Sequence, residues 1–451
     1  MKSRREFLKQ SLLAGAGVSI TAMGMPASSY ARIMGANDRV NIGLVGFSDR
    51  ARQTLLPCFF NNNKELNFDI IAVSDIWKRR REEGQAFISK KAGHDIQACV
   101  NNDELYKIKD LDAVIIATAD FQHAYHTIEA VGQRKDVYCE KPFAETMDDA
   151  RKALKAVKDS GKIFQVGTQR RSGDSYHAAN HFIQEGKFGP ITMVEMTWNV
   201  NQPGRWRRPE LVKEIREQDT DWTRFLAGRP KDSWDPRKYL EYRLFWPYSS
   251  GIFGQWMTHQ IDTVHWFTNL KHPRSAVANG GIYMWKDGRK NADTITAVFE
   301  YGPDNDPTSG FQVQYSSRFS NSAGGVKEMY YSNGGTIDID KNRISPTGGL
   351  TEHEAKEMGL HANLLPEMTL SSSGSGVATS ADMGGDPLTN AHVRNWMESV
   401  RKRQQGNAPI EAAYSHSIAL IMANAAYRTG LKATFDENKQ DVIVGGKPFI
   451  I

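Results

Sequence analysis

The chain has 451 residues, of which 40% are hydrophobic and 24% charged, and its formal net charge is +5 at pH 7. That length exceeds one ordinary core and predicts at least two domains, while the small, mixed charge gives no indication of a nucleic-acid partner. The three cysteines match neither a disulfide framework nor the spacing of a zinc site.

The first residues are typical of an export signal. The pair Arg4 and Arg5 precedes an apolar run from Ser11 to Met25 and then a small-residue cleavage site. The run is shorter than the ~20 residues that a membrane-spanning helix needs. We therefore expect residues 1–36 to be a twin-arginine signal peptide, the protein to be periplasmic, and no membrane span to remain after the signal is removed.

A short apolar strand then runs into a turn that partly matches the dinucleotide-binding pattern GxGxxG. Gly46 takes the tight-turn position, Ser48 stands where the second glycine lets the backbone approach a pyrophosphate, and Ala51 takes the helix-packing position. Because serine departs from the pattern, the turn alone also fits a plain strand-to-helix connection.

The next strand, residues 68–75, ends on an acid at the distance from the glycine where a carboxylate binds the adenosine ribose. Asp75 favours NAD, since it would repel the 2′-phosphate of NADP. The cations Lys78, Arg79 and Arg80 follow directly, so NADP stays open unless they are the solvated start of a helix.

Further apolar strands alternate with helices. Strands are expected at residues 111–118, 136–139 and 162–166, and a helix capped by Thr146 is expected to end at Gly161. This alternation predicts a doubly wound parallel sheet of the Rossmann type.

The strand at residues 136–139 leads into Glu140, Lys141 and Pro142. A lysine just past a strand end, in the crevice where doubly wound sheets bind ligands, is a candidate for chemistry. Taken alone, the three residues also fit a surface turn.

Beyond residue 168 the pattern changes to alternating strands, which predicts a large, mostly antiparallel open sheet in an α+β domain. These strands are expected at residues 191–198, 293–301, 311–317 and 327–333. A Ser/Gly/Thr-rich stretch, residues 341–387, has no clear periodicity, and two helices follow it.

Two segments of this second part carry candidate site residues. Trp206 stands among three arginines, where it could stack on a sugar ring or belong to an ordinary exposed loop. Gln255 and His259 are four apart on a glycine-led helix and share a face, and Asp262 follows where it could orient an imidazole. The spacing of these side chains does not predict a metal site.

If the crevice holds a nicotinamide, oxidation of a carbinol needs a base for the hydroxyl proton and a cation for the oxygen. Lys141 can bind the oxygen, and His259 titrates in the range suited to moving the proton.

Taken together, residues 41–171 around Glu140-Lys141-Pro142, the segment Thr220-Asp221-Trp222 and the helix ending in His259-Gln260-Ile261-Asp262 resemble the Gfo/Idh/MocA oxidoreductases. Within that family the chain is similar to the exported branch related to glucose-fructose oxidoreductase and inositol dehydrogenase. The resemblance implies an NAD(P)-dependent enzyme that acts on a ring carbinol of a sugar, sugar derivative, glycoside or cyclitol.

The resemblance also implies roles for individual residues. The expected cofactor-binding residues are Gly46, Ser48, Asp49, Arg50, Asp75, Thr118, Asp120, His123, Glu140 and Lys141. The expected catalytic residues are Lys141 and His259, and the expected substrate-binding residues are Lys141, Arg171, Trp206, Gln255 and His259. The implied domains are 37–168 for the nucleotide, 169–388 for substrate and oligomerisation, and 389–451 for the C-terminal helices and tail. The open sheet predicts a homo-oligomer.

One departure from the family is Gln255, since members commonly carry an aspartate four residues before the histidine. An amide cannot accept a proton, so the role of that aspartate is lost or moved elsewhere. Three outcomes stay open: hydride transfer with Lys141 and His259, glycoside processing by a tightly bound NAD with no net redox change, or nucleotide binding without catalysis.

Overall fold

The computed structural model describes residues 38–303, 306, 308–371 and 386–450. The expected signal peptide, residues 1–36, lies outside the described residues. The first part of the chain forms a six-stranded parallel sheet of order β3-β2-β1-β4-β5-β6. Its strands are β1 (Val40–Val45), β2 (Phe68–Ser74), β3 (Gln97–Cys99), β4 (Ala113–Ile116), β5 (Asp136–Cys139) and β6 (Phe164–Val166).

Helices cross between these strands. They are α1 (Leu56–Leu66, preceded by a π-helical turn at Ala51–Leu55), α2 (Lys78–Ala92), α3 (Asn102–Tyr106), α4 (His123–Gly132), α5 (Met147–Ser160) and α6 (Asp174–Gln184). Helix α5 begins as expected, because the Thr146 side chain accepts a hydrogen bond from the Asp149 amide at 3.0 Å, and it ends at Gly161 with φ +63°. The strands are apolar because β1, β4 and β5 are almost wholly buried.

The second part of the chain forms an eleven-stranded sheet of order β14-β13-β12-β11-β7-β10-β9-β8-β15-β16-β17. Its strands are β7 (Ile191–Asn199), β8 (Ser275–Gly281), β9 (Thr294–Tyr301), β10 (Phe311–Arg318), β11 (Val326–Ser332), β12 (Gly335–Asp338), β13 (Arg343–Ser345), β14 (Met368–Thr369), β15 (Ala433–Asp436), β16 (Asp441–Val444) and β17 (Lys447–Pro448). The pair β7 and β10 is parallel and the other pairs are antiparallel. The predicted combination of a doubly wound sheet and a mostly antiparallel sheet is confirmed.

Short helices lie between β7 and β8, and three more lie towards the C-terminus. They are α7 (Pro209–Glu214), α8 (Trp222–Phe225), α9 (Pro236–Leu240), α10 (Thr258–Thr268, preceded by a π-helical turn at Phe253–Met257), α11 (Glu352–Glu357), α12 (Pro387–Lys402) and α13 (Ile410–Thr429). Helix α13 is buried along nearly its whole length because it packs on both α5 and β8. Within the described ranges, no helix is long and apolar enough to cross a membrane.

Helix α12 returns to the first sheet. Its apolar stripe includes Val393 and Trp396, and the Trp396 ring lies 6.3 Å from Phe68 and 5.8 Å from Tyr138. Arg403 just beyond the helix binds Asp136 at the start of β5. The C-terminal region thus packs against the six-stranded sheet as well as the open sheet.

The sequence patterns missed several strands at the sheet edges. Strands β3, β13, β14 and β15 to β17 have two to four residues each, too few for a period-2 pattern to be recognised. The stretch 341–387 was expected to lack periodic structure, yet it contains β13, α11 and β14, while residues 372–385 lie outside the described part. These edge strands form because a neighbouring strand supplies their hydrogen bonds.

Candidate active site

A cavity of about 740 Å³ opens at the carboxyl edge of the six-stranded sheet, facing the helix that contains His259. Most of the residues predicted for the site line it. They are Gly46, Ser48, Asp49, Arg50, Asp75, Thr118, His123, Glu140, Lys141, Trp206, Gln255 and His259. Asp120 and Arg171 are predicted residues that do not line it. Tertiary folding has brought residues more than 100 positions apart in sequence to one cavity.

The glycine turn after β1 requires Gly46. Its φ is +85°, and a Cβ there would lie 2.8 Å from Thr118 Cγ2 and 3.1 Å from the Ala117 carbonyl oxygen. At the second glycine position, the Ser48 hydroxyl accepts a hydrogen bond from the Ala51 amide at 3.3 Å. Serine therefore caps the following helical turn, and a helix N-terminus of this kind can bind a phosphate group.

Asp75 is held at the end of β2 by main-chain donors. Its carboxylate accepts hydrogen bonds from the Phe47 amide at 2.9 Å and the Trp77 amide at 2.8 Å. Burial raises the pKa of Asp75, against the opposing effect of these donors. The carboxylate is thus fixed beside the glycine turn, as a ribose-binding acid must be.

The three cations after Asp75 have acidic partners. Lys78 pairs with Glu82 at 3.9 Å, Arg79 with Glu83 at 2.9 Å, and Arg80 with Asp49 at 3.0 Å and Glu83 at 3.1 Å. These carboxylates compete with any phosphate for the same guanidinium and ammonium groups. The arrangement therefore favours NAD over NADP at this turn.

The loop after β4 joins the cofactor side of the cavity to the turn after β5. His123 Nδ1 lies 2.6 Å from the Pro142 carbonyl oxygen, and its Nε2 lies 3.3 Å from the Thr118 carbonyl oxygen. Burial lowers the pKa of His123. Thr118 Oγ1 is buried without a hydrogen-bond partner among the described residues. An unsatisfied hydroxyl on a cavity wall suits a polar ligand group.

The Glu140 carboxylate holds the neighbouring turn in place through hydrogen bonds. Its carboxylate accepts hydrogen bonds from Arg50 Nε at 3.1 Å, Gln169 Nε2 at 3.4 Å and the Lys141 amide at 3.3 Å. Only 4% of Glu140 is exposed. These contacts fix the backbone from which the Lys141 side chain reaches into the cavity.

Lys141 points towards the second domain, where its Nζ donates to the Gln255 carbonyl oxygen at 2.7 Å. Burial lowers the pKa of Lys141 to about 8, although the carboxylates of Glu140 and Asp120 favour the cation. At neutral pH the side chain is mostly an ammonium group. Two of its three N–H donors remain for a ligand oxygen.

His259 reaches the same cavity from α10. Its ring stacks on Trp198 with centroids 5.9 Å apart. Removal from solvent, with the nearby cations Lys141 and Arg170, lowers its pKa well below the ordinary value. His259 is therefore a neutral imidazole at pH 7, which can accept a proton.

Gln255 lines the cavity, but its side chain is engaged by neighbouring protein groups. Its Nε2 donates to Asp120 Oδ2 at 2.5 Å, and its Oε1 accepts from Arg243 Nε at 2.8 Å. Asp120 also accepts a hydrogen bond from the Ser249 hydroxyl at 2.5 Å. Asp120 was expected to contact the cofactor; it lies behind the lining because Gln255 and Ser249 cover its carboxylate.

Arg171, expected to bind substrate, instead pairs with a buried carboxylate. Its Nε and Nη2 donate to the two oxygens of Asp262 at 2.7 and 3.1 Å. Burial raises the pKa of Asp262, but Arg171 and His416 outweigh that effect and the net pKa is lowered. A carboxylate with no exposure needs such a partner. Asp262 thus faces Arg171 and His416, and His265 lies against the Tyr301 hydroxyl at 2.8 Å.

The loop around Trp206 was expected to bind a ligand through the tryptophan ring and the neighbouring arginines. In the structure, two of these arginines bind protein carboxylates instead. Arg207 binds Glu241 at 3.0 Å and Arg208 binds Asp49 at 3.1 Å. Trp206 is 8% exposed and packs edge-on against Phe319 at 4.9 Å. The tryptophan is thus a wall of the cavity, and two of the arginines serve ion pairs.

Sequence reasoning missed several lining residues, among them Trp77, Trp198, Tyr239, Tyr242, Arg243 and Trp256. Trp198 and Trp256 stack nearly parallel, with centroids 5.7 Å apart and an interplanar angle of 9°. The available signal was the density of aromatic residues between positions 222 and 256. It was overlooked because most of that stretch, residues 222–250, has no helix or strand period.

Residues 205–244, which include α7, α8 and α9, contribute many side chains to the cavity lining, and we call them the covering segment. Ion pairs tie this segment to the first domain. They are Arg208 with Asp49, Glu214 with Arg79, Arg224 with Asp103 and Arg229 with Asp149. In addition, Gln122 Nε2 donates to the Phe225 carbonyl oxygen at 2.7 Å. The segment closes one side of the site.

Residues 40–168 match the model of the Gfo/Idh/MocA family, described as an oxidoreductase family with an NAD-binding Rossmann fold. The matched residues are those of the six-stranded domain. This part of the chain is therefore similar to the NAD-binding Rossmann domain of that family, as the sequence resemblance predicted.

Curated relatives carry oxidoreductase names. An inositol 2-dehydrogenase of Salmonella paratyphi B is 30% identical over 217 residues, which is 47% of this chain and 58% of that protein. A 1,5-anhydro-D-fructose reductase of Ensifer adhaerens is 27% identical over 196 residues, which is 41% of this chain and 56% of that protein. The chain thus spans less than two thirds of the length of these relatives.

Solved structures share the fold over most of the chain. Levoglucosan dehydrogenase in complex with NADH has a TM-score of 0.62 at 13% identity, covering 87% of this chain and 98% of that one. A myo-inositol 2-dehydrogenase from Lactobacillus plantarum has a TM-score of 0.60 at 16% identity, covering 88% of this chain and all (100%) of that one. The likeness establishes the two-domain architecture.

Proposed function

We propose that this chain, whose residues 40–168 match the model of the Gfo/Idh/MocA family, is an NAD-dependent oxidoreductase acting on a ring carbinol. The substrate class is a sugar, sugar derivative, glycoside or cyclitol. The observation that carries the proposal is that Lys141 and His259, from different domains, line the same cavity as the nucleotide turn at Gly46.

The residues present fit NAD. Gly46 and Ser48 line the cavity at the turn where the pyrophosphate would lie, the fixed carboxylate of Asp75 would bind the ribose, and the unsatisfied hydroxyl of Thr118 would face the nicotinamide side. When bound, the nicotinamide supplies the acceptor for the carbinol hydrogen.

The protein's part in the reaction is to hold the carbinol oxygen and take its proton. The Lys141 ammonium group, anchored on the Gln255 carbonyl, has donors left for that oxygen. The neutral imidazole of His259 accepts the hydroxyl proton as the alcohol becomes a carbonyl. In the reverse direction His259 returns the proton.

The cavity wall supports a hydroxyl-rich ring as substrate. Trp198, Trp206 and Trp256 give it flat apolar surfaces, and Arg205 and Arg243 supply charged donors beside them. An aromatic wall with charged donors beside it is suited to a ring with an apolar face and polar edges.

The test is to purify the protein, identify any nucleotide that copurifies by mass and absorbance, and follow the nicotinamide absorbance band with a panel of sugars, glycosides and cyclitols. His259→Ala should lower kcat/KM by about 100-fold or more, the usual size of general-base catalysis. His181→Ala is the matched control, since that histidine is exposed and outside the cavity lining. Nucleotide binding with no absorbance change across the panel would contradict the proposal.

A second function is favoured by the covering segment. Its ion pairs with the first domain support a nucleotide that stays bound, as needed for glycoside processing with no net redox change. In that case purified protein would carry NAD and release the leaving group from aryl glycosides without accumulating NADH. Exchange of the bound nucleotide with free NAD within a single turnover would argue against this second function.

The location follows from the first residues. We propose export by the twin-arginine route and a periplasmic location, supported by Arg4 and Arg5 before the apolar run. Replacing both by lysine should leave the protein in the cytoplasmic fraction of a fractionated cell. An unchanged distribution would rule out this route.

A further inference from the structure

Gln255 is a junction between the charged groups of the site. Its amide orientation is unambiguous, because the Asp120 carboxylate accepts only and the Arg243 guanidinium donates only. Its main-chain oxygen holds Lys141 at 2.7 Å. One residue therefore links a buried carboxylate to two cations that line the cavity.

We propose that Asp120 is a positioning residue for the reaction, which acts through Gln255 to hold Lys141 and Arg243 in place and supplies the negative charge of the site. This inference rests on the proposed oxidoreductase function. In this chain, glutamine replaces the aspartate that family members commonly carry four residues before the histidine. The inference assigns the carboxylate of the site to Asp120.

The burial of Asp120 argues that its charge has a role. Only 1% of the residue is exposed, and Oδ2 receives both available hydrogen bonds, from Ser249 and Gln255, at 2.5 Å each. Oδ1 has no hydrogen-bond partner among the described residues and lies 4.0 Å from Arg243 Nε. A buried carboxylate left partly unsatisfied is costly unless nearby cations compensate it.

The charges that face Lys141 come from several elements. Glu140 and Asp120 are of opposite sign and favour its ammonium form, Arg243 and Arg50 are of like sign and disfavour it, and the neutral ring of His259 lies nearby. Glu140 is already engaged by Arg50 and Gln169. Asp120 is thus the carboxylate whose removal should change Lys141 without dismantling the turn that carries it.

The central experiment is Asp120→Asn, which can keep the hydrogen bonds that Oδ2 accepts and removes only the charge. We expect kcat to fall by about 10-fold or more, the nucleotide Kd to change by less than twofold, and the alkaline limb of the pH profile to move about one unit to lower pH. The exchange variant Asp120→Asn with Gln255→Glu, which returns a carboxylate to the same contact, should recover most of the lost kcat.

Glu145→Gln is the matched control. Glu145 is a carboxylate that is also 1% exposed, and its Oε1 accepts from the Ser250 amide and hydroxyl at 3.2 Å each. Burial raises the pKa of Glu145 to about 8, so glutamine reproduces its protonated state at pH 7 and can keep both hydrogen bonds. This variant should retain the wild-type kcat and pH profile.

A readout independent of turnover separates this inference from the proposed function. The pKa of Lys141 is measured by NMR in lysine-labelled protein, with Lys141→Met to assign the signal, and it should fall in Asp120→Asn and stay unchanged in Glu145→Gln. An inactive wild type would overturn the oxidoreductase function, and this titration would still test the link. An unchanged Lys141 pKa, or weaker nucleotide binding with unchanged kcat, would overturn the role of Asp120.

Thermal melting of each variant checks its folding. If Asp120→Asn does not fold, Gln255→Met replaces it, because that change breaks the contacts to Asp120 and Arg243 and leaves the charges in place. The expected result is a loss of kcat of about 10-fold or more with the alkaline limb unmoved and the nucleotide Kd within twofold of wild type. Wild-type kcat in Gln255→Met contradicts the proposal.

Discussion

Burial lowers the pKa of both Lys141 and His259, with opposite consequences at neutral pH. The pKa of Lys141 is lowered to about 8, so its ammonium form persists at neutral pH and is lost above that value. The pKa of His259 is lowered well below its ordinary value, so its neutral form persists far into the acid range. Burial thus produces a cation and a base side by side at pH 7.

The pH profile of kcat/KM follows from these two shifts, because such a profile reports the ionisations of the free enzyme's essential groups. We expect a plateau that extends from the acid range up to the Lys141 pKa of about 8 and a decline at higher pH as Lys141 loses its proton. In Lys141→Arg the guanidinium group stays charged, so the alkaline decline should disappear. A rate that instead rises through pH 8 would show that Lys141 works as a neutral base.

Some site residues could be located from the sequence, and others could be placed only by the structure. Gly46, Asp75 and Lys141 could be singled out because each stands at a strand end, where position along the chain is enough to locate it. Arg171 and Asp120 could not be placed, because the partners that take them out of the cavity lining, Asp262 and Gln255, lie more than 90 residues away in sequence.

Among the elements, the covering segment links the two domains beside the cavity through several ion pairs. It has no strand, and its helices α7, α8 and α9 have four to six residues each, so packing and ion pairs hold it rather than helix stability. Its pairs with the first domain are largely solvent-exposed, and each contributes little by itself. Because there are several such pairs, removing them one at a time should weaken the contact between the segment and the first domain in steps.

Glu214→Ala with Asp149→Ala removes two of these pairs without touching the cavity lining. We expect the dissociation rate of bound nucleotide to rise by roughly 10-fold, corresponding to about 1.4 kcal/mol from two partly exposed pairs. Stopped-flow fluorescence of NADH release measures it. Asp159→Ala is the control, because Asp159 pairs with Lys155 inside α5, and an equal rise in that variant would contradict the role of the segment.

At the scale of the whole molecule, one face of the eleven-stranded sheet is buried and the other face is more exposed. Along β7, β9, β10 and β11, alternate side chains are buried in the core and the intervening ones are half-buried or exposed. The intervening residues are mixed rather than apolar: Met193, Met329 and Tyr331 stand beside the ion pair of Glu195 and Lys327. A broad mixed face of this kind suits contact between copies of the chain.

We therefore expect a homo-oligomer that uses this face. Light scattering of the wild type should give a mass that is a multiple of the monomer mass, and Met329→Arg should reduce it, because the new charge lies beside Lys327. Lys155→Glu on α5 serves as the control for a charge change elsewhere. A monomer mass for the wild type at micromolar concentration would end this proposal.

The sequence by itself determined the alternation of strands and helices in the nucleotide-binding domain apart from the short β3, together with the glycine turn, the acid at the end of β2 and the Glu140-Lys141-Pro142 turn. Those features are local, because a buried parallel strand and its following turn are written in neighbouring residues. Only the tertiary structure decided that Lys141 meets Gln255, that Asp120 lies behind that glutamine, and that the edge strands extend the second sheet. Those contacts join residues far apart in the chain, and no period or motif along the sequence records them.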